Sequence, residues 1–305
     1  MIGVPNPAIS LDYFVVDVFT DTALEGNPLA VVMNTAGLST ASMQAIAREF
    51  NLSETTFVER RPAEVERQEG VRVRIFTTEE ELQFAGHPTL GTASVLKLAA
   101  PETVHDGLVT LAENVGPIPV RFDGDTLSAE MTQRDPEFGQ ELDRRKVAEF
   151  CGLAEDDLDP AAPPQIVSTG TAFAIVLLRS LESLGRLRVE QQESGTWLRS
   201  LGARWFYVLA PAPQEWDGSP NSFRARMQFN GGEDPATGSA AGCAVSYLIN
   251  RGLAPSGQRF LIRQGVEMGR PSSIFLSANK DNSWVTDVRV GGSTILVAKG
   301  TLFLP

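Results

Sequence analysis

The chain has 305 residues, of which 42% are hydrophobic and 21% charged, and its formal net charge is −12 at pH 7. The length allows two domains or one large one, and the composition is typical of a soluble globular protein. The acidic balance argues against nucleic acid or an anionic membrane as a partner, because both are bound by Lys/Arg surfaces.

The first half of the chain reads as short strands separated by turns. Ser39 or Thr40 is predicted to cap a helix that ends at Asn51, a residue that tolerates the left-handed conformation. Residues 60–70 are charged and predicted to form a solvated hairpin tip. The predicted strands are residues 11–16, 29–33, 55–59, 71–76, 82–85, 109–111, 119–122 and 127–131.

The second half repeats this pattern after a short helix over residues 144–151, which Gly152 is expected to stop. Residues 197–201 are assigned to a further helix. The predicted strands are residues 166–168, 173–178, 205–209, 223–229, 260–263, 273–276, 285–290 and 295–297. No apolar run reaches the length of a membrane helix, and the first residues lack the pattern of a secretory signal. The expected location is therefore the cytoplasm.

One short pattern occurs once in each half: GHPTLGTA at residues 86–93 and EDPATGSA at residues 233–240. Proline is favoured in the first turn of a helix, so both copies predict a helix start, with His87 and Asp234 as caps. The second helix is expected to run from Ala236 to about Asn250. Small, mostly apolar residues follow both copies, which predicts two buried helices.

This repetition predicts an α+β fold with two pseudo-symmetric domains, each a mostly antiparallel sheet rolled around a central helix. We place the domains at residues 1–125 and 126–295, with a final strand at 296–305 that can return to the first domain. Two matched turns, one in each half, indicate a duplicated enzyme whose site lies between the halves.

The repeated turns carry the chemistry that an anion site needs. A helix N-terminus offers unpaired N–H groups and partial positive charge, and Gly91 and Gly238 allow close approach to the backbone. Thr92 and Ser239 add hydroxyl groups one residue later. These features predict binding of a small anionic substrate, a carboxylate or a phosphate, although a single copy on its own indicates an ordinary helix cap.

Glu54 lies between a predicted helix end and an apolar strand, where burial would raise its pKa and suit it to proton transfer. The alternative is a surface glutamate bonded to a nearby N–H. His87 is an acid, a base or an orienting group opposite Asp234, or only a cap. The two cysteines, Cys151 and Cys243, are far apart, so neither a disulfide framework nor a metal site is expected.

Several stretches together resemble the PhzF-type (phenazine biosynthesis-like) isomerase family. They are, in sequence order, DVFT at 17–20, GNPLAVV at 26–32, NLSETTFV at 51–58, RIFT at 74–77, FAGHPTLG at 84–91, EDPATGSA at 233–240, and QG at 264–265 with MGRPS at 268–272. The resemblance implies the diaminopimelate-epimerase-like fold, proton chemistry without a cofactor, and a homodimer.

The resemblance also assigns roles. It implies that Glu54 is the catalytic acid/base, supported by His87, Asp234 and Ser239. Gly86 and Gly238 correspond to ligand-binding backbone, and Asn27, Gly91 and Thr92 complete the predicted substrate-binding set. Relatives that racemise amino acids with two thiols would carry them where His87 and Asp234 stand here.

The sequence therefore predicts a cofactor-independent isomerase that moves a proton between carbons of a small carboxylate. Three alternatives remain open at this point. One is a cofactor-independent amino-acid or hydroxy-acid racemase or epimerase, which needs a second base. Another is a binding or scaffold protein that keeps the fold without turnover. The third is an acidic housekeeping protein with no pocket.

Overall fold

The computed structural model describes residues 9–229, 231–282 and 284–304. Residue contacts divide the chain into two compact units. The first contains the described residues up to Leu24, Pro28–Met131, and the described residues from Ser293 onward. The second contains Glu25–Asn27 and Thr132–Gly292. A three-residue segment near the start of the chain thus clusters with the second unit.

The described residues form a mixed set of strands and helices. The strands are β1 (Ile9–Val18), β2 (Asn27–Val32), β3 (Glu54–Glu59), β4 (Val71–Phe76), β5 (Glu81–Leu82), β6 (Leu108–Glu113), β7 (Gly116–Phe122), β8 (Ala129–Thr132), β9 (Glu137–Glu141), β10 (Gln165–Ser168), β11 (Ala172–Leu177), β12 (Phe206–Pro211), β13 (Ser222–Arg226), β14 (Gln228–Phe229), β15 (Gly232–Glu233), β16 (Phe260–Gln264), β17 (Ser272–Asp281), β18 (Trp284–Gly292) and β19 (Thr294–Leu304). The α-helices are α1 (Thr40–Phe50), α2 (Ala63–Glu69), α3 (Gly86–Ala99), α4 (Arg144–Cys151), α5 (Leu181–Gly185), α6 (Gln191–Ser200) and α7 (Gly238–Asn250).

The first unit is a mostly antiparallel sheet packed on α3. Strands β3, β4 and β5 pair antiparallel in sequence, as do β6, β7 and β8, while β2–β3 and β4–β6 are parallel. The C-terminal strand β19 pairs antiparallel with β1. Helix α3 contacts β1, β3, β6, β7 and β19, and its first eleven residues, from Gly86 to Leu96, are buried.

The second unit repeats this arrangement around α7. Its pairs are antiparallel except β11–β12 and β13–β16, which are parallel. Helix α7 contacts β10, β11, β17 and β18, and every residue from Gly238 to Ile249 is buried. The predicted α+β fold, with a buried small-residue helix in each half, is confirmed.

Local sequence signals set several helix ends. The Ser39 side chain caps α1 by accepting a hydrogen bond from the Ser42 N–H, and Asn51 ends it at φ 52°. Gly152 ends α4 in the same left-handed region. These three predictions are confirmed.

Other local predictions are wrong. Residues 60–70 contain α2 instead of a bare hairpin tip, because Arg60 and Arg61 bond to Glu66 and Glu69 on that helix. The strand predicted over residues 82–85 is reduced to Glu81–Leu82, since the chain turns into α3 at Gly86.

Among the described residues, no helix is long and apolar enough to cross a membrane.

Candidate active site

The first repeated turn forms the start of α3, but His87 is not its cap. The helix begins at Gly86 after Ala85, which is extended at φ −150° and makes no side-chain cap bond. His87 is therefore a residue of the first turn, and it is 3% exposed. The cap prediction is wrong because His87 lies inside the helix, and its Nε2 faces a tertiary partner.

That partner is Glu54. It is the first residue of β3, aligned with Leu29 on the parallel strand β2. Glu54 Oε2 lies 3.4 Å from His87 Nε2, and the two side chains are 13% and 4% exposed. Burial lowers the pKa of His87 to about 3, so the imidazole is neutral at physiological pH. A carboxyl group thus meets a neutral imidazole at the edge of the buried part of the unit.

The remaining residues of this turn support the helix from within. A Cβ on Gly91 would lie 2.6 Å from Leu29 Cδ2 and 2.9 Å from Val18 Cγ2, so only glycine lets α3 approach these strands. Thr92 is fully buried, and its hydroxyl lies 2.8 Å from that of Thr56. These contacts give Gly91 and Thr92 packing roles.

The second repeated turn is built differently. Helix α7 begins at Gly238 after Thr237, so its predicted start at Ala236 is wrong, and Asp234 lies too far upstream to cap it. Asp234 is 5% exposed and accepts hydrogen bonds from Asn27 Nδ2 at 2.8 Å and from the Thr237 hydroxyl at 2.5 Å. Burial raises the pKa of Asp234 to about 7, and these two bonds oppose the rise.

Gln264, at the end of β16, organises this turn. Its Nε2 donates to the Asp234 carbonyl at 2.8 Å and to Thr237 Oγ1 at 2.9 Å, while its Oε1 accepts from the Thr237 N–H and from Tyr207. The amide uses both of its hydrogens and both lone pairs. Thr237 Oγ1 also lies 3.3 Å from Met227 Sδ, but Asp234 Oδ2, at 2.5 Å, is the nearer and stronger acceptor for its single hydrogen. The residue type of Gln264 predicts no role in the site. The sequence signal that could have identified it is its position between an apolar strand and a glycine.

Gly265 and the Gly-Arg-Pro-Ser stretch at residues 269–272, both after Gln264, support the same turn. Gly265 has φ +75°, and a Cβ there would lie 2.6 Å from the Pro235 carbonyl oxygen. Ser272 donates to that carbonyl at 2.9 Å. Arg270 donates to the Gly26 carbonyl at 2.9 Å, next to Asn27. These residues therefore position Asp234 and its donor Asn27.

The start of α7 carries the other predicted residues of the second unit. Ser239 is 8% exposed, and the Gly238 carbonyl accepts from Gln133 Nε2 at 3.1 Å. Gln133 in turn accepts from Thr169 at 2.7 Å. Cys243, one turn further on, is fully buried, and burial raises its pKa to about 11. Its thiol is a core group with almost no thiolate at neutral pH.

The structure brings together two sets of predicted residues: Glu54 with His87 in the first unit, and Asp234 with Asn27 in the second. His105, the other histidine, is exposed. The described residues contain no group of three or more His, Cys, Asp or Glu side chains that could hold a metal ion.

A family profile described as phenazine biosynthesis-like protein (PhzC-PhzF) matches residues 16–300. The chain belongs to the PhzC-PhzF family. It is 37% identical to an uncharacterized isomerase of Mesorhizobium japonicum, over 96% of this chain and 99% of the relative. It is 35% identical to trans-2,3-dihydro-3-hydroxyanthranilate isomerase of Pseudomonas aeruginosa, with the same coverage. Family membership and these relatives make the chain an enzyme of the isomerase class.

Solved structures agree with this assignment. A predicted epimerase from Pseudomonas aeruginosa is 34% identical, with a TM-score of 0.80 over 97% of this chain and 100% of that one. A hydroxyproline epimerase from Agrobacterium vitis is only 10% identical, yet it has a TM-score of 0.63 over 97% of this chain and 93% of that one. The second likeness shows the fold alone, which PhzF-type proteins share with this epimerase.

Proposed function

We propose that this enzyme is a cofactor-independent isomerase that moves a proton between two carbons of a small carboxylate substrate, with Glu54 as the acid/base. The observation that carries the proposal is the contact between the Glu54 carboxyl group and the neutral imidazole of His87. A mostly shielded carboxyl group at the end of a strand is a suitable carrier of a single proton.

The proposed reaction balances without another reactant. The Glu54 carboxylate removes a proton from one carbon, and the electron pair of that C–H bond moves into the adjacent unsaturated system. The same carboxyl group then delivers the proton to a second carbon, which shifts the double bond. His87 is neutral, so it lies beside the carboxyl group without adding a positive charge that would weaken the base.

We assign the binding of the substrate's polar groups to the repeated turns. Gly86 in the first unit, and Gly238 and Ser239 in the second, belong to helix N-termini, where backbone N–H groups and the helix dipole favour a carboxylate. Asp234, held by Asn27, is assigned to a donor group of the substrate. The proposal gives Gly91 and Thr92 no substrate contact, because packing explains both residues.

A racemase or epimerase is the nearest alternative, and the 34% identity to a predicted epimerase of Pseudomonas aeruginosa favours it. That reaction needs a second base on the opposite face of one carbon. The residues at the leading positions of the two turns are a neutral His87 and a hydrogen-bonded Asp234 instead of thiols. A chiral assay with proline-like substrates separates this alternative from isomerisation.

The test compares turnover by Glu54→Gln with that by Glu59→Gln, a matched change at the other end of the same strand. The first substrate to try is trans-2,3-dihydro-3-hydroxyanthranilate, followed by a panel of small unsaturated carboxylates. Loss of a general acid/base lowers kcat by about 10²–10⁴-fold, which is the expected result for Glu54→Gln alone. Equal activity in both variants contradicts the assignment, and binding of every substrate without turnover supports a non-catalytic protein.

Two further proposals are a homodimer, which the family resemblance implies, and a cytoplasmic location, which the sequence patterns favour. Light scattering of the purified protein tests the first, since a dimer has twice the 33.0 kDa mass of the chain. Fractionation of the source cells tests the second.

A further inference from the structure

A buried carboxyl group lies beneath the first turn of α3 and takes no part in the proposed chemistry. Glu113, the last residue of β6, is 4% exposed. Its Oε1 lies 2.7 Å from the hydroxyl oxygen of Thr89, two residues after His87 in α3. Its Oε2 is buried and has no hydrogen-bond partner among the residues that the structure describes.

If Glu113 is ionised, the Thr89 hydroxyl group has too few hydrogens for the acceptors around it. Thr89 Oγ1 is also 2.7 Å from the Ala85 carbonyl oxygen, so one hydroxyl hydrogen faces two oxygens at the same short distance. A carbonyl and a carboxylate can only accept. A protonated Glu113 supplies the missing hydrogen: it donates to Thr89 Oγ1, and Thr89 donates to Ala85.

Among the described residues, no cationic side chain is hydrogen-bonded to Glu113. In that part of the chain, Arg72 of β4 is the charged group that attracts it, but this guanidinium donates to the Ala112 carbonyl at 3.1 Å and to Asn114 Oδ1 at 2.5 Å. On α3 the nearest titratable group in sequence is the neutral His87, and the residue facing Glu113 on β7 is Gly116. Burial outweighs the attraction of Arg72 and raises the pKa of Glu113 to about 8.

We propose that Glu113 is held as a neutral carboxylic acid and acts, through Thr89, as a positioning residue for His87. The Ala85 carbonyl accepts from both the hydroxyl and the N–H of Thr89, at 2.7 and 3.3 Å. These two bonds close the first turn of α3, and His87 lies within that turn. The effect on catalysis rests on the proposed function, whereas the protonation state of Glu113 does not.

The protonation state is measured by carbon NMR of protein labelled at its glutamate carboxyl groups, with Glu113→Gln as the reference. One carboxyl resonance at the position of a protonated acid at neutral pH, absent from Glu113→Gln, is the expected result. If every glutamate resonance of the wild type is that of a carboxylate at pH 6, the proposal is overturned.

Thermal unfolding across pH gives an independent reading. The folded-state pKa of Glu113 is raised from 4.5 to about 8, so its contribution to stability is fully present below the lower value and is lost as pH rises through the higher one. The melting temperature of the wild type should therefore fall relative to that of Glu113→Gln over this range. If the difference in melting temperature between the wild type and Glu113→Gln stays constant across this pH range, Glu113 is not held neutral.

Two pairs of variants test positioning. Glu113→Gln can donate from its amide to Thr89 and should keep wild-type turnover, whereas Glu113→Leu should lower kcat by about tenfold at an unchanged KM, because the catalytic geometry is displaced. Thr89→Ser and Thr89→Val repeat the comparison at the other partner, in case the leucine variant does not fold. The positioning role is overturned if Glu113→Gln loses turnover. It is also overturned if Glu113→Leu and Thr89→Val both keep wild-type turnover. If the wild type turns over no substrate, the proposed function fails while the NMR result still decides the state of Glu113.

Discussion

Replacing Thr237 by valine tests how the second unit holds Asp234. Valine has nearly the shape of threonine but lacks the hydroxyl group, so packing changes little. The substitution removes the donor to Asp234 Oδ2 at 2.5 Å and the acceptor of the Gln264 amide at 2.9 Å. Both partners are buried, at 5% and 0% exposure, so water cannot replace the lost bonds.

The magnitude follows from these two losses. An unsatisfied buried donor costs about 1–3 kcal/mol, and a hydrogen bond to a charged group contributes roughly 1.5–3 kcal/mol. Since the Gln264 amide keeps its bond to the Asp234 carbonyl, we expect the unfolding free energy to fall by about 2–4 kcal/mol when Asp234 is ionised. Loss of the donor also raises the pKa of Asp234 further above about 7, by roughly one unit for each 1.4 kcal/mol.

The assay is urea unfolding of the wild type, Thr237→Val and Thr237→Ser at an acidic and an alkaline pH. The folded pKa of Asp234 is raised from 3.8, so the stability linked to its protonation is lost as pH rises towards and beyond about 7. Thr237→Val should therefore be destabilised more at about pH 8.5 than at about pH 5, by on the order of 1 kcal/mol. Thr237→Ser keeps the hydroxyl and should stay close to the wild type. Equal losses of stability at both pH values, or equal losses in both variants, would contradict a hydrogen bond from Thr237 that stabilises the ionised Asp234.

Three further outcomes are expected. Gly91→Ala should destabilise the protein by about 1–3 kcal/mol, because the new Cβ would lie 2.6 Å from Leu29 Cδ2. The control is Gly185→Ala, whose Cβ would have no atom within 4 Å and should leave stability unchanged. Thermal unfolding compares the melting temperatures of the two variants. Cys243→Ala should keep turnover, and a thiol reagent at neutral pH should modify Cys243 only after unfolding, since the thiol is buried with a pKa of about 11. The pH profile of kcat/KM should show no inflection from His87 near its ordinary value of 6.5, because burial lowers its pKa to about 3; an inflection there that disappears in His87→Asn would contradict this.

Helix ends and the two buried helices could be predicted because they depend on local chemistry. Ser39 caps α1 with its own hydroxyl, and Asn51 ends it by adopting φ 52°. The runs of small residues in α3 and α7 have no polar face, so burial was the one available arrangement. None of these features requires knowledge of a distant part of the chain.

The cap roles of His87 and Asp234 were predicted wrongly for the opposite reason. Both residue types suit a cap, but each side chain faces a partner far away in sequence: Glu54 for the first, and Asn27 for the second. A bond between residues 27 and 234 leaves no local signature. The protonation balance at Glu113 also needs coordinates, because it follows from two distances to one hydroxyl oxygen.

The central claim is that Glu54 carries a proton from one carbon of the substrate to another. The direct measurement is NMR of the reaction of a substrate deuterated at the carbon that loses its hydrogen. Proton transfer by Glu54 predicts that the deuterium leaves that carbon as product forms and appears at the second carbon or in water. It also predicts that Glu54→Gln slows this loss by at least about 100-fold, while Glu59→Gln does not. Product that retains the deuterium at its original carbon, or transfer at the wild-type rate in Glu54→Gln, would contradict it.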